Sequence, residues 1–426
     1  MKYLRHLTEA SLLLFVFLLP WQTKLILRPD VNNFNEISLY LSQIVLLLAV
    51  IFFLSYQLFK KRENKEVPRL WYFLGGLEIF YLISFFFASD KLLATYYFAI
   101  LLSGLALFYI LREGLNKNVY EDSCFNRVRA IYAFLISIFL QSVLAIYQFL
   151  TQSTFSNKYL GIASHDPHAL GTSVIEASSG RWLRAYGGLD HPNILGGVLV
   201  FALLLTAFLL AKRKIINSRI QNYGLLLMFV SYFVYLMALF FTFSRSAWLA
   251  FFIGLIFLAV AIMRKEDKWV KGRFLVLIFF SILLFVLAAF PYKDLVRTRL
   301  SVQSRLEQIS LTERTDQVFS AKDVIKKHPL FGVGAGNYVN YVEKESELKN
   351  DFIQPVHNSY LLLWAETGLF SLVLLLLFIY FLIRKGRRET FSLAVIVALL
   401  LLMFFEHWFF SLPFGIIFFF FILGVI

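Results

Sequence analysis

The sequence predicts an all-α polytopic membrane protein that forms a single integral domain over residues 1–426. Hydrophobic residues make up 59% of the chain, the mean hydropathy is +0.70, and 49 of the 426 residues are phenylalanine. A soluble protein cannot hide that much apolar surface in one core. Apolar runs of roughly 18 to 25 residues, the length of a helix that crosses a bilayer, also recur along almost the whole chain.

About twelve apolar segments are predicted to be membrane-spanning helices, because a helix satisfies its own backbone hydrogen bonds in lipid. The first follows Lys2 and Arg5 as a signal peptide would, but it contains Pro20 and Trp21 and has no small-residue cleavage site, so we interpret it as a retained span. In chain order the predicted spans are residues 8–26, 36–59, 70–88, 92–111, 130–150, 193–210, 223–243, 247–263, 274–290, 359–383, 391–405 and 408–426.

Lys and Arg residues concentrate in every second connection between these spans, and basic connections stay in the cytoplasm. The basic residues of these connections are Lys60, Lys61, Arg62, Lys65, Arg69, Arg112, Lys117, Arg127, Arg129, Lys212, Arg213, Lys214, Arg219, Arg264, Lys265, Lys268, Lys271, Arg273, Arg384, Lys385, Arg387 and Arg388. Both termini are therefore predicted to be cytoplasmic. Two long polar loops are predicted to lie outside: residues 151–192, and residues 291–358 with short helices. Most of the net charge of +14 is thus explained by the basic residues that set the orientation in the membrane. The sequence contains no basic soluble module that would bind nucleic acid.

The outer side holds most of the reactive side chains. His165 and His168 are close in sequence, but they flank a proline without a helical register or a third ligand, so a polar turn is favoured over a metal site. Neither a metal nor a cofactor is expected. The only cysteine, Cys124, falls in a predicted cytoplasmic connection, which excludes a disulfide. Six of the seven histidines are predicted to lie on the outer side or at its edge: His165, His168, His191, His328, His357 and His407.

A glycine-bent loop leads from Arg184 to Asn193, which is a plausible N-cap for the sixth span. The backbone N–H groups at a helix N-terminus attract anions, and Arg184 can add a two-pronged donor for a phosphate. An ordinary capped helix start with an interfacial arginine explains the same residues equally well.

Arg245 stands beside the hydroxyl of Ser244 in a very short outer turn between two spans. Topology does not require a positive charge on that side, which favours a functional guanidinium over one that only reaches the lipid headgroups. Arg314 lies in the first turn of a helix predicted over residues 312–327, with Thr312 as its cap. The glycine-rich segment 332–337 lacks the ending of a nucleotide-binding loop and is predicted to be a tight turn.

His357 and Asn358 stand where the second long loop gives way to an apolar span. A titratable imidazole at the mouth of a membrane helix is costly to retain without a use. Together with Arg184, Arg245 and Arg314, His357 predicts an outer site for an anionic, lipid-linked substrate.

Four motifs in a fixed order carry a family resemblance. They are Arg184-Ala185-Tyr186-Gly187 through His191-Pro192-Asn193, then Phe243-Ser244-Arg245-Ser246-Ala247, then His328-Pro329-Leu330-Phe331-Gly332-Val333-Gly334-Ala335-Gly336-Asn337, and His357-Asn358 with Gly368 after nine residues. The set, which spans residues 184–370, resembles the O-antigen ligase and polymerase family of membrane glycosyltransferases. Ser371 departs from the ligase pattern, which has Gly, Thr or Tyr there, so ligase and polymerase both stay open.

The resemblance implies an all-helical glycosyltransferase of the C type. Such an enzyme moves a glycan from undecaprenyl diphosphate to a glycan or lipid acceptor at the outer face of the cytoplasmic membrane, without a metal. The family's diphosphate-binding arginines and its histidine correspond to Arg184, Arg245, Arg314 and His357. The wider family also glycosylates proteins. A transporter or flippase for lipid-linked oligosaccharides is a more distant alternative, since the charges gather at one face and no internal repeat is evident.

These residues suit that chemistry. A leaving diphosphate gains negative charge as its bond to the sugar breaks, and fixed guanidinium groups such as those of Arg245 and Arg314 stabilise it. His357 can accept the proton of an attacking sugar hydroxyl. In-line attack would invert the anomeric centre. Arg184, the third predicted diphosphate-binding residue, helps to orient the diphosphate together with the helix start at Asn193. The predicted supporting residues are Asn193, Ser244 and Asn358.

Overall fold

The computed structural model describes residues 2–30, 32, 34–59, 68–113, 126–169, 171–212, 219–301, 304–345, 353–386 and 391–426. Part of the basic charge that predicts the topology lies outside these residues. The predicted cytoplasmic residues outside them are Lys60, Lys61, Arg62, Lys65, Lys117, Cys124, Arg213, Lys214, Arg387 and Arg388.

The structure is 74% helical, which confirms the all-α class. The helices are α1 (Lys2–Leu18), α2 (Leu41–Phe59), α3 (Leu70–Ser84), α4 (Lys91–Glu113), α5 (Arg127–Thr151), α6 (Pro192–Lys212), α7 (Arg219–Phe241), α8 (Arg245–Lys265), α9 (Lys268–Ala289), α10 (Lys293–Leu300), α11 (Arg305–Lys327), α12 (Tyr338–Glu345), α13 (Ser359–Gly386), α14 (Ser392–Phe405), α15 (Trp408–Ser411) and α16 (Pro413–Val425). Two antiparallel hairpins join β1 (Lys24–Arg28) to β2 (Ile37–Tyr40) and β3 (Val174–Ala177) to β4 (Gly180–Leu183).

Nine helices in the described part of the chain are long and apolar enough to cross a membrane. They correspond to nine of the twelve predicted spans. The three other predicted spans contain α1, α14 and α16, which have 17, 14 and 13 residues. The chain is therefore a multi-pass membrane protein, and the count of twelve spans stays a prediction.

The first predicted span is wrong in its second half. The sequence predicts a helix to residue 26, but α1 ends at Leu18 and a turn follows, closed by the Trp21 N–H on the Leu18 carbonyl (2.9 Å). Pro20 lacks an N–H group and cannot continue the helix. The chain then enters β1, whose backbone groups pair with β2, so α2 begins at Leu41 rather than at residue 36.

The connections that are predicted to lie outside meet at one end of the structure. Arg28, in the first of them, forms an ion pair with Asp90 in the third (2.7 Å), and Thr23 donates a hydrogen bond to the Tyr159 carbonyl in the fifth (2.8 Å). At the other end, Lys212 pairs with Glu266 across two predicted cytoplasmic connections (2.9 Å). The alternation of sides therefore agrees with these contacts.

Helix α6 lies at the centre of the helical core, and nearly all of its side chains are buried. Its first turn packs closely against the start of α8. A Cβ atom added at Gly196 would lie 2.8 Å from the Cβ of Ala247, so only glycine permits this approach. The two helix starts that the sequence associates with the site are thereby held side by side.

Candidate active site

Arg184 lies between β4 and α6 and is only 3% exposed. Every guanidinium nitrogen donates a hydrogen bond to the protein. Nε donates to the Thr242 carbonyl (2.7 Å), Nη1 to Oγ of Ser173 (3.0 Å) and Nη2 to Oδ1 of Asn193 (2.6 Å). The side chain thus ties the first long outer loop to α6 and to the turn before α8.

Asn193 is not the N-cap of α6, contrary to the sequence prediction. The helix begins at Pro192, so His191 holds the cap position, and its Nδ1 accepts a hydrogen bond from the N–H of Asn193 (3.0 Å). Residue preferences at N-caps favour Asn over His, which is why the sequence misleads here. The side chain of Asn193 instead accepts from Arg184.

The turn between α7 and α8 sets the position of Arg245. Phe243 has a φ angle of +46°, in the left-handed region that phenylalanine rarely adopts, and its ring is buried. Ser244 follows in the N-cap position, and its Oγ lies 3.1 Å from Oγ of Ser246. Backbone strain of this kind persists where surrounding contacts impose it, often at functional sites.

Arg245 belongs to an ion cluster that sequence reasoning missed. Its Nη2 is 2.9 Å from Oε2 of Glu307, and the other oxygen of Glu307 accepts from Nη1 of Arg299. Arg299 also donates through Nε to the Phe243 carbonyl (2.9 Å). The side chain of Glu307 is 4% exposed whereas that of Arg245 is 30% exposed. One carboxylate therefore holds two guanidinium groups at the edge of the site.

Arg314 is half-buried on α11 and forms no hydrogen bond or ion pair with any residue that the structure describes. It follows Glu307 by seven residues, about two helical turns, and so shares its face of the helix. Among the arginines predicted for the site, Arg314 is the one without a hydrogen bond or ion pair to a described residue.

The helix that carries Arg314 is longer than predicted. It begins at Arg305, after Ser304, and the hydroxyl of Thr312 donates to the Gln308 carbonyl (3.1 Å). Thr312 is therefore not its N-cap. A threonine inside a helix bonds to the preceding turn in this way, and its hydroxyl alone does not mark a helix start.

His357 precedes α13, and Asn358 caps that helix by accepting hydrogen bonds from the N–H groups of Tyr360 and Leu361 (both 3.0 Å). The imidazole is 18% exposed, and its Nδ1 lies 3.9 Å from Oε2 of Glu406. This distance suits an ion pair but exceeds a hydrogen bond. The His407 ring packs edge-on against His357, with 4.8 Å between the ring centroids.

Glu406, between α14 and α15, is the third residue that sequence reasoning missed, after Glu307 and Arg299. Its Oε1 accepts from Oγ of Ser246 (2.7 Å), and its backbone carbonyl accepts from Oγ of Ser359 (2.6 Å). Burial acts to raise the pKa of Glu406, but the interaction with His357, the charge of Arg314 and the Ser246 hydroxyl outweigh burial and lower it. A carboxylate in a short turn between apolar helices was the available signal.

The predicted residues share one electrostatic neighbourhood. The pKa of His191 is lowered well below its ordinary value, first by burial and then by electrostatic interactions with Arg184, His357, Arg299 and Arg314. Arg245 joins this group through Arg299, whose pKa is lowered first by burial and also by the charges of Arg245 and Arg314, against the opposing charge of Glu307. The structure thus brings together the four residues predicted for substrate binding and catalysis: Arg184, Arg245, Arg314 and His357.

The glycine segment at residues 332–336 forms the predicted tight turn and packs on a kink in α13. The N–H of Val333 donates to the Ala365 carbonyl (3.0 Å), and that of Gly334 to the Glu366 carbonyl (2.8 Å). At the kink, Gly368 has φ +85° and ψ 173°. A Cβ there would lie 1.9 Å from the Leu330 carbonyl oxygen, so the family glycine fixes this packing.

A turn lies at residues 166–169, in the segment for which the sequence predicts a polar turn. The N–H of His168 donates to Oδ1 of Asp166 (2.8 Å), and the His165 ring stacks on Tyr186 at 3.8 Å. Within the described residues, no three His, Cys, Asp or Glu side chains are grouped as a metal site.

Comparison with known families matches residues 230–376 to a family model described as O-antigen ligase. The matched segment contains Arg245, Arg314 and His357, while Arg184 and Glu406 lie outside it. No curated protein matches the chain. The match supports a ligase- or polymerase-like enzyme function in the membrane. The resemblance to the O-antigen ligase family that the motifs predict is thus confirmed over residues 230–376.

Proposed function

We propose that the protein is a membrane glycosyltransferase that moves a glycan from undecaprenyl diphosphate to an acceptor hydroxyl at the outer face of the cytoplasmic membrane. The observation that carries this proposal is the position of His357. Its imidazole is partly exposed and stands beside the carboxylate of Glu406. The charge of Arg314, which has no hydrogen bond or ion pair with the described residues, also acts on Glu406. A histidine base beside arginines suits a reaction in which the acceptor hydroxyl loses a proton and the donor releases an anionic lipid diphosphate.

His357 is the general base in this proposal. Its Nδ1 faces Glu406, which leaves Nε2 to take the proton of the acceptor hydroxyl. The negative charge of Glu406 then stabilises the imidazolium that forms. Ser246 and Ser359 hold Glu406 in place before the reaction, so little reorganisation is needed during it.

Arg245 and Arg314 bind the donor diphosphate. The acceptor oxygen forms a bond to the anomeric carbon while the bond from that carbon to the diphosphate oxygen breaks, and the electron pair leaves with the lipid diphosphate. The guanidinium groups supply the positive charge for this step, so the proposed mechanism does not use a metal. Attack from the face opposite the diphosphate inverts the anomeric centre.

Arg184 acts on the donor diphosphate indirectly, through the turn before α8. Because its nitrogens are bonded to Ser173, Thr242 and Asn193, its main contribution is to orient that turn, while its charge adds to the field on the diphosphate. Arg184 therefore remains part of the proposed site, but it orients the turn and acts on the donor only indirectly.

The proposed location is the cytoplasmic membrane, with both termini in the cytoplasm and the site on the outer side. Two observations support this orientation. Basic residues concentrate in alternate connections, and the other connections, the short ones of which carry few Lys or Arg residues, meet around the site. The donor and the acceptor would then be reached from the outer leaflet.

A repeat polymerase of the same family is the second candidate, and the observation that favours it is Ser371. The ligase pattern has Gly, Thr or Tyr at that position. Here the serine is fully buried, and its hydroxyl donates a hydrogen bond to the Thr367 carbonyl (3.1 Å), one turn earlier in α13. The two candidates share the donor and the chemistry and differ in the acceptor.

The test is a transfer assay with the purified protein in lipid nanodiscs, a lipid-diphosphate oligosaccharide and added chelator. Addition of one glycan to a separate acceptor indicates a ligase, and stepwise lengthening indicates a polymerase. In sealed lipid vesicles, movement of the lipid-linked glycan from one leaflet to the other without bond cleavage would refute the proposal. His168→Ala is the matched control for histidine variants, because His168 is exposed on the same predicted side and is not in the site.

A further inference from the structure

The site contains a carboxylate where its proposed ligand would bring phosphate oxygens. Glu307 is 3% exposed and forms ion pairs with two different guanidinium groups. One oxygen accepts a hydrogen bond from Arg299, while the other faces Arg245 at 2.9 Å without hydrogen-bond geometry. The proposed mechanism gives neither Glu307 nor Arg299 a task. Arg299 is itself mostly buried, with 11% of its side chain exposed.

This arrangement resembles the way in which arginines hold a phosphate. A planar guanidinium donates to the oxygens of a carboxylate or of a phosphate with similar geometry. A buried carboxylate is also costly to desolvate, and its ion pairs offset that cost only in part. A phosphate group offers more oxygens and more charge to the same two arginines, so it competes favourably for them.

We propose that Arg245 and Arg299 form a phosphate subsite, that Glu307 occupies it as an internal counter-ion, and that a phosphate of the lipid diphosphate displaces Glu307. The inference rests on the proposed function and adds Arg299 to the residues that bind the donor.

The placement of Glu307 on α11 supports the displacement. Glu307 lies in the first turn of this helix, and Arg314 follows two turns later on the same face. The guanidinium of Arg314 has no hydrogen bond or ion pair with the described residues, so it provides a second point of contact for a diphosphate. Anchoring one phosphate at Arg314 brings the other to the arginines that Glu307 holds.

The experiment measures binding of inorganic pyrophosphate to the full-length protein in nanodiscs, so it does not depend on turnover. Glu307→Gln should bind pyrophosphate about tenfold more tightly than the wild type. This gain corresponds to a wild-type subsite that Glu307 leaves open roughly one tenth of the time, because the apparent affinity falls by the fraction of open sites. Glu313→Gln is the matched control, because Glu313 is an exposed carboxylate on the same helix. It should leave the affinity unchanged, and adding Arg299→Ala to Glu307→Gln should remove the gain.

Two further measurements keep the test decisive if Glu307→Gln folds poorly. Without ligand the variant should melt at a lower temperature, because two guanidinium groups lose their partner, and pyrophosphate should raise its melting temperature more than that of the wild type. In the wild type, pyrophosphate should increase amide hydrogen exchange at residues 305–310, where displacement of Glu307 loosens the first turn of α11.

Equal or weaker binding by Glu307→Gln, or protection of residues 305–310 in the wild type, would overturn the inference, since Glu307 would then be a fixed support for the two arginines. If the wild type binds pyrophosphate and Glu307→Gln gains nothing, only this inference fails. If neither protein binds pyrophosphate, the diphosphate site of the proposed function fails with it.

Discussion

The change Glu406→Gln removes the negative charge beside His357 and preserves the shape of the side chain. Oε2 of Glu406 lies 3.9 Å from Nδ1 of His357. Two unit charges at that distance attract each other by about 4 kcal/mol at an effective dielectric constant of about 20. The proton is only partly transferred in the transition state, so we expect about half of this, ~2 kcal/mol, which is roughly a 30-fold fall in kcat.

The assay measures kcat and the donor KM for glycan transfer in nanodiscs. The donor KM should change little, because Glu406 does not contact the diphosphate in the proposed mechanism. Glu313→Gln, which removes an exposed carboxylate, should leave both values unchanged. A kcat for Glu406→Gln within about twofold of the wild type would refute the role of Glu406, since a positioning charge must act on the chemical step.

The same variant makes a pH prediction. The pKa of Glu406 is lowered in the folded protein, so its ionised form stabilises the fold above the unfolded value of about 4.3. That contribution is lost as the pH falls through the folded value. Melting curves should therefore show a steeper loss of stability on acidification in the wild type than in Glu406→Gln. Parallel curves would contradict the lowered pKa.

Three other substitutions test separate parts of the site. Arg245→Lys should lower kcat/KM by about tenfold or more, because an ammonium group cannot make a two-pronged phosphate contact; wild-type kinetics would reduce Arg245 to a headgroup anchor. Arg314→Ala should raise the donor KM and hardly change the melting temperature, since Arg314 has no hydrogen bond or ion pair with the described residues; a large loss of stability would contradict this. Gly368→Ala should destabilise the protein by at least about 1–3 kcal/mol from backbone strain alone, with a clash against Leu330 in addition. Gly272→Ala, which meets nothing within 4 Å, is its control in the same thermal melt.

The membrane helices were predictable because their cause is local. A run of about 20 apolar residues is long enough to cross a bilayer and satisfies its own hydrogen bonds, whatever its neighbours are. The end of α1 was less predictable, since apolar residues recur after Leu18, at Leu19, Trp21 and residues 25–27, and the last of these pair as β1 with β2. The start of α11 was missed because residues 305–311 show no clear apolar period.

The site was predictable only in part. Arg245 and His357 stand out because each is a charged or titratable side chain beside a membrane helix on the side where topology does not call for one. Arg314 lies in a loop rich in both charges, and the family resemblance is what marks it. Glu406 has its Ser246 partner 160 positions away in the sequence, so only the fold shows that the two meet. Glu307 and Arg299 lie in a loop rich in both charges, where no local pattern marks a buried pair.

The central claim is that cations grip a diphosphate while His357 removes the proton of the acceptor. The most direct test compares His357→Ala with the wild type in two measurements on the same nanodisc preparation, pyrophosphate binding and glycan transfer. The account predicts that His357→Ala binds pyrophosphate as the wild type does and loses transfer. Full glycan transfer by His357→Ala would contradict it.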